Sequence, residues 1–304
     1  MNIKVKSLKL KVKNSFSGQA VIIVLLVMVV ALTIGLSISA RSVKDIRLST
    51  RTEESQRAFS AAEAGLEVAL LKGSSVQNSI PSLNASYNVS VMDAGADNYF
   101  SFPGTIAKDD TQTVWLVSHD ETTGEIQDCA TASCYTGSSI QINWGNKGTV
   151  SDSNITPALE VSIIYKEGSD FKIEKYAYDP NSSRAGSNGF NTSSVSLNPP
   201  ATPDGKEYAF YITQDLPSGS GIENYALRLR FLYSNNQKHV LAVVRPASVA
   251  SNIPIQGKKY ESKGEAKISG SGESEVRTVS FFKSYPALPG IFDFVLFSGS
   301  DLSK

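Results

Sequence analysis

The chain has 304 residues, and its 29 lysines and arginines balance 29 aspartates and glutamates, so its formal net charge is zero at pH 7. This balance argues against a protein that coats nucleic acid, which usually carries a basic patch or stripe. The chain also contains only two histidines and two cysteines, which leaves little material for a metal site built from these residues.

The first forty residues have the pattern of a basic leader followed by a membrane helix. Five lysines lie within residues 4–13, and an uncharged, mostly apolar run occupies residues 20–40. As a helix this run is about 31 Å long, which matches a hydrocarbon core about 30 Å thick. All five lysines precede it, so the positive-inside rule predicts a cytoplasmic amino terminus and an extracytoplasmic remainder. A secretory signal cleaved after Ala40 and an uncleaved anchor are the alternatives.

Two short segments flank the apolar run: Ser17-Gly18-Gln19-Ala20-Val21-Ile22-Ile23-Val24-Leu25-Leu26 and Ala58-Phe59-Ser60-Ala61-Ala62-Glu63-Ala64-Gly65-Leu66. They resemble the type IV pilins, and among them the PilX-like minor pilins and the K-type pseudopilins of type II secretion. The resemblance covers residues 14–72, roughly a quarter of the chain. It implies that a prepilin peptidase cleaves between Gly18 and Gln19 and methylates the new amino terminus at Gln19.

One position departs from the pilin pattern. Most pilins have a glutamate at the fifth mature position, where it is thought to pair with a neighbour's terminal amine, but this chain has Ile23. K-type pseudopilins also lack this glutamate, so the resemblance implies a minor or tip subunit. The partners it implies are other pilin subunits, the prepilin peptidase and membrane lipid. No nucleic acid is expected, because loss of the leader leaves 24 basic residues against 29 acidic ones.

Residues 41–73 predict an amphipathic extracytoplasmic helix that continues the apolar one. Strong helix formers recur up to Lys72, and Gly73 is a plausible helix stop. The nine polar residues 49–57 predict a solvated middle section. Further along, an apolar stripe with three-and-four spacing is expected to dock on the following domain, with helix-packing residues Phe59, Ala62 and Leu66.

The remaining residues 74–304 predict a mainly antiparallel β domain, either a sheet or a sandwich, so the fold class is α+β. Three hairpins are predicted: residues 161–166 with 171–178, 225–233 with 239–244, and 258–269 with 273–284. Further strands are predicted at 87–92, 113–118, 140–144, 207–213 and 292–297. The expected organisation is a leader at 1–18, a transmembrane or filament-core helix at 19–40, the amphipathic helix at 41–73 and the β domain at 74–304. The polar stretch 179–205 predicts an exposed loop and a possible subdivision near 180–205.

Cys129 and Cys134 are the only cysteines and lie in a small polar loop. In an oxidising extracytoplasmic compartment they can form a local disulfide. The closed loop is short, so the expected stabilisation is at or below about 3 kcal/mol. Neither histidine has metal-ligand spacing to them, and no metal is predicted.

No catalytic residue and no cofactor are predicted. The chain has no Gly-x-Ser-x-Gly elbow and no phosphate-binding loop, and His119, which precedes Asp120 and Glu121, is interpreted as part of a strand-end turn. The leading hypothesis is a minor pilin or pseudopilin that spans the cytoplasmic membrane once, joins a filament and modulates assembly or adhesion at the cell surface. The alternative is a membrane-anchored β-domain protein that binds an unidentified surface ligand without a pilus. A third hypothesis, an anchored envelope hydrolase, has no named catalytic residue.

Overall fold

The structure is a computed structural model that describes residues 17–268 and 273–290, with only the backbone for residues 17–19. Most of the leader and the predicted strand at 292–297 lie outside these residues. The described part confirms the α+β fold class, because one long helix precedes a mainly antiparallel set of strands.

The first element is helix α1, Ser17–Lys72, which has 56 residues. It contains no proline, and its three glycines, Gly18, Gly35 and Gly65, do not interrupt it. The helix ends at Gly73, whose φ of 68° is left-handed and whose N–H donates to the Ala69 carbonyl at 2.8 Å. A glycine accepts this backbone conformation without the steric cost of a Cβ atom. The predicted continuation of the apolar helix to Lys72 is therefore confirmed.

Besides two single-turn 3-10 helices, Pro81–Leu83 and Pro203–Gly205, the β part contains thirteen strands and one short α-helix in the described residues. In chain order they are β1 Val76–Ile80, β2 Ala85–Ala94, β3 Tyr99–Ser101, β4 Thr111–Trp115, β5 Ser139–Asn146, β6 Ala158–Glu167, β7 Asp170–Tyr178, α2 Ser182–Asn188, β8 Ser196–Leu197, β9 Tyr208–Asp215, β10 Ile222–Leu232, β11 Leu241–Val244, β12 Gly257–Lys267 and β13 Ser274–Ser284. Three sheets result, with strand orders β1-β2-β12-β13, β4-β10-β6-β7 and β3-β11-β5-β9-β8.

The chain divides into two compact units. The first unit comprises Met1–Gly65, Gln77–Asn88 and Lys263–Val279, and the second comprises Leu66–Val76, Val89–Ser262 and Ser280–Lys304. The first unit has a small core in which Ala58 and Ala61 of α1 pack with Ala85 and Ala266, alongside the partly buried Ile80 and Leu83. The second unit has the large core, which draws on both the β4-β10-β6-β7 sheet and the β3-β11-β5-β9-β8 sheet.

Large side chains fill the core of the second unit. Trp144, Phe210 and Phe231 are among the largest side chains that are fully buried there. The Trp144 indole N–H donates to the Pro157 carbonyl at 3.0 Å, so its one polar atom is satisfied inside the core. Burial of such side chains contributes roughly 1.5–3 kcal/mol each and is the main favourable term for this unit.

One predicted hairpin is confirmed and another is wrong. Strands β6 and β7 pair antiparallel with Glu167 opposite Asp170, as the turn between them predicts. Strands β10 and β11 do not pair with each other, because β10 pairs with β4 and β6 while β11 pairs with β3 and β5. The segment between β10 and β11 connects the two sheets, and its backbone is left-handed at Tyr233, Asn235 and Asn236. The third predicted pair, β12 and β13, are neighbours in one sheet.

The polar stretch 179–205 is more ordered than the exposed loop that the sequence predicts. It contains α2, and its strand β8 pairs with β9 through Ser196 opposite Tyr211. Asp179 at its start is fully buried. The whole stretch lies inside the second unit, so none of the boundaries between the two units falls at the possible subdivision near 180–205.

His239 is fully buried in the second unit and makes stability depend on pH. Its Nδ1 accepts from the Asn146 N–H at 3.3 Å, and its Nε2 lies 3.1 Å from the Ile155 carbonyl, so the neutral form with a proton on Nε2 satisfies both nitrogens. Burial lowers the pKa of His239 below its ordinary value. Protonation therefore favours the unfolded chain, whose histidine titrates near about pH 6.5.

We expect the free energy of unfolding to be flat just above pH 7 and to fall as pH drops from about 7 to 5.5, by at most about 1.4 kcal/mol per pH unit for one group. Denaturant unfolding at several pH values measures this slope. His239→Gln should reduce this slope of unfolding free energy against pH. The slope should not vanish, because the other buried histidine, His119, still contributes to it. An unchanged slope in His239→Gln would contradict the expectation.

Candidate assembly helix and binding cleft

The amino-terminal part of α1 is an unbroken apolar surface. From Val21 to Ile38 its large apolar side chains are 48–68 % exposed, and no residue between 20 and 40 is charged. The most apolar 18-residue window has a mean hydropathy of 3.1. The hydroxyl of Thr33 donates to the Val30 carbonyl at 2.8 Å, so this polar group is satisfied within the helix. By length and composition this segment fits a single-pass membrane anchor.

The predicted processing residues lie at the start of α1. Gly18 and Gln19 have helical backbone, and cleavage between them stays a prediction. Ile23 is 61 % exposed on the same apolar surface. An ionised carboxylate at this position would be expensive in lipid without a partner, whereas isoleucine needs none.

The carboxy-terminal part of α1 presents a buried face of small residues. Ala58, Ala61 and Ala62 are fully buried, and Gly65 is also buried. Of the three predicted packing residues, Ala62 lies on this face and Leu66 is half-buried, but Phe59 is 45 % exposed. The face is therefore defined by the small residues of the stripe rather than by its largest one.

A glycine in strand β12 explains why this face needs small residues. A Cβ atom built on Gly264 would lie 1.9 Å from the Ala58 carbonyl oxygen and 2.6 Å from the Ala62 backbone nitrogen. The strand backbone thus contacts the helix backbone directly within the first unit. The sequence analysis did not single out Gly264, although a lone glycine inside a strand pattern is a recognised sign of close backbone approach.

The polar section 49–57 of α1 is only partly solvated. Glu54 is 2 % exposed and lies one turn before Ala58 on the buried face, which corrects the predicted solvated section at that position. Its Oε2 lies 3.4 Å from the Arg57 guanidinium. Nearby, the Nε of Arg277 in β13 donates to the Ser55 hydroxyl at 2.7 Å. Polar contacts therefore extend the docking of α1 beyond the alanines.

A polar cleft of about 800 Å³ lies in the second unit. Its lining includes Ser118, His119, Gln127, Thr131, Ser133 and Asn252. Cys129 and Cys134, which also line it, are bonded to each other as a disulfide. The Thr136 N–H donates to the Ser251 hydroxyl at 3.0 Å, which ties the disulfide loop to the loop at 250–255. Hydroxyl and amide side chains are therefore the commonest polar groups of the cleft, beside apolar residues such as Ile253 and Pro254.

His119 at this cleft belongs to an aromatic cluster. Its ring stacks on Tyr285 with the centroids 4.3 Å apart and meets Trp115 edge-on at 4.6 Å. Burial lowers the pKa of His119, which favours the neutral ring at neutral pH. The adjacent Asp120 carboxylate accepts from the N–H groups of Thr122 and Thr123 at 2.9 and 2.7 Å, which confirms the predicted turn. These backbone hydrogen bonds lower the pKa of Asp120.

Within 17–268 and 273–290, no group of three or more histidines, cysteines, aspartates and glutamates is placed to hold a metal ion. The two features that stand out are therefore the exposed apolar helix and the polar cleft.

Comparison with known proteins adds no family to this description. No protein-family model matches the chain, and no curated protein is significantly similar to it. The class that the fold defines is a long apolar amino-terminal helix joined to a mainly antiparallel β domain.

Proposed function

We propose that this chain is a minor pilin or pseudopilin that enters a type IV pilus or a type II secretion-like filament. The observation that carries the proposal is α1 itself, whose exposed apolar part continues without a break into a part that packs on β12. A filament subunit needs both parts: one buried among neighbouring helices, and one that holds an outer domain.

The exposed apolar side chains keep this part of α1 out of water both before and after assembly. Fourteen large apolar residues lie between Val21 and Ile38, and each gains roughly 1.5–3 kcal/mol when it leaves water. Before assembly the surrounding medium is lipid, and in a filament it is the apolar helices of other pilin subunits. The smaller Gly35, Ser37 and Ser39 allow close approach of another helix at the outer end of the span. The exchange of lipid for helices therefore exposes little apolar surface to water.

The second candidate function is a single-pass anchored protein whose β domain binds a surface ligand outside any filament. The polar cleft with its disulfide-closed loop is the observation that favours it. Both candidates place residues 20–40 in the membrane. They differ in whether the bond between Gly18 and Gln19 is cleaved.

We expect mass spectrometry of the protein from native membranes to find a methylated Gln19 as the first residue. Gly18→Leu should retain the leader because the implied peptidase cleaves after glycine, whereas the matched control Gly35→Leu, a glycine with open space around it, should be processed normally. An intact Met1 in the unmodified protein would contradict the filament proposal and favour the anchored β-domain protein. A start at Arg41 would contradict both membrane proposals, since it would indicate a secreted protein.

A further inference from the structure

The segment of α1 that follows the apolar run combines cations with exposed apolar residues. Residues 41–48 contain Arg41, Lys44 and Arg47, all exposed, and a single acid, Asp45. Between them, Val43, Ile46 and Leu48 are 50, 63 and 67 % exposed. Such a mixture is unfavourable in water but suits the interface of a bilayer, where apolar side chains meet acyl chains and cations meet headgroups.

The three cations lie on one side of the helix. At about 100° per residue, Arg41, Lys44 and Arg47 fall within an arc of about 120°. Within the described part of the chain, none of them forms an ion pair. Their charge is therefore available to an external anion.

Their height above the apolar run matches the headgroup layer. At 1.5 Å per residue, Arg41, Lys44 and Arg47 lie about 1.5, 6 and 10 Å beyond Ala40, and the polar layer of a bilayer is about 5–8 Å thick on each side. Side chains on a helix lean toward its amino terminus, which here is the membrane side. Long basic side chains can thus reach back to lipid phosphates while their stems cover apolar surface.

We propose that Arg41, Lys44 and Arg47 bind the phosphates of anionic lipid headgroups on the extracytoplasmic face of the membrane. This inference rests on the proposed function in two respects, the insertion of residues 20–40 into a bilayer and the orientation that places residues 41–48 outside the cytoplasm. The contact sets the height of α1 relative to the membrane and holds the subunit in lipid until it leaves for a filament. Each cation near an anionic surface changes lipid preference by up to about fivefold, the equivalent of about 1 kcal/mol.

The test uses the full chain reconstituted in phosphatidylcholine vesicles with spin-labelled phosphatidylglycerol or spin-labelled phosphatidylcholine. The ratio of the two lipid association constants should exceed one and should fall several-fold in Lys44→Gln/Arg47→Gln. The matched control Arg51→Gln/Lys72→Gln removes the same charge from the same helix. Arg51 lies about 16 Å beyond Ala40, more than a Debye length of about 8 Å beyond the span. This control should keep the ratio.

Flotation of the protein with phosphatidylcholine vesicles checks insertion separately from lipid preference. Failure to float would overturn the membrane part of the proposed function, and the inference with it. If the protein floats but the ratio of the two lipid association constants is the same in the unmodified protein and in Lys44→Gln/Arg47→Gln, the inference alone is overturned. Added inorganic phosphate should lower the ratio of the two lipid association constants no more than added chloride does at the same ionic strength. A larger drop in phosphate would indicate a site for free phosphate and would also overturn it.

Discussion

Gly264→Val is expected to separate β12 from helix α1 and to destabilise the full chain by about 3 kcal/mol or more. The reason is geometric, because a Cβ at this position would lie 1.9 Å from the Ala58 carbonyl oxygen. The atoms in its way are backbone, so no side-chain rotation relieves the clash. Separation also exposes the buried Ala58 and Ala61, which pack with Ala85 and Ala266.

The measurement is thermal unfolding of the full chain in detergent, together with hydrogen exchange of peptides from residues 54–65 and 257–267. We expect both peptides to exchange faster in Gly264→Val, with a smaller effect in Gly264→Ala. Gly186→Ala is the matched control, because this exposed glycine has no atom near its added Cβ. If Gly264→Val and Gly186→Ala behaved alike, the close contact between β12 and α1 would be disproved.

Local signals made much of the fold predictable from the sequence. The extent of α1 depends on a stretch without proline that ends at Gly73, and both features lie within the helix or next to it. The hairpin of β6 and β7 depends on a four-residue turn between two alternating runs. In each case the residues that determine the structure are neighbours in the chain, so the local sequence pattern is enough to predict the element.

Contacts between distant residues were not predictable in the same way. Strands β10 and β11 follow one another in the chain, yet each lies between two other strands of a different sheet. A largely buried strand has a nearly continuous apolar sequence whichever strand it pairs with. Its pairing partner therefore cannot be predicted from the apolar pattern. The turn between them then looks like a hairpin turn although it connects two sheets.

The candidate sites show the same limit. The buried face of α1 was placed in the correct segment, but the three-and-four spacing of apolar residues included the exposed Phe59, while the contact with Gly264 requires small side chains. The polar cleft is formed by residues near 118–136 and by the loop at 250–255, which are more than a hundred positions apart. The residues that supply its hydroxyl and amide groups are also common in ordinary loops, so nothing in the sequence indicates that they lie close together.

The sequence places Asp179 at the start of a predicted exposed loop, yet in the structure it is fully buried and forms an ion pair with Arg184. Its carboxylate accepts from Nε and Nη2 of Arg184 at 2.7 and 2.8 Å and from the Asn181 N–H at 2.9 Å. The same guanidinium donates to the Thr156 carbonyl at 2.8 Å and lies 4.5 Å from the centroid of the Tyr233 ring. The pair therefore ties α2 and the stretch after β7 to the rest of the second unit.

Asp179→Ala is expected to destabilise the chain by about 3–5 kcal/mol, because it leaves the Arg184 guanidinium partly buried without its counter-charge. Denaturant unfolding of the full chain measures the loss. In the double variant Asp179→Ala/Arg184→Met no unpaired charge remains, so the loss should be smaller than the sum of the two single losses.

A surface ion pair provides the matched control for this experiment. Lys147 and Glu207 are 2.6 Å apart, but their side chains are 71 and 53 % exposed. Solvent screens such a pair, so Lys147→Gln should cost at most about 1 kcal/mol. A loss in Asp179→Ala no larger than that in Lys147→Gln would mean that the stretch 179–205 is not anchored by this pair. A large, non-additive loss would instead establish that a segment with the composition of an exposed loop is held in the second unit by one buried charge.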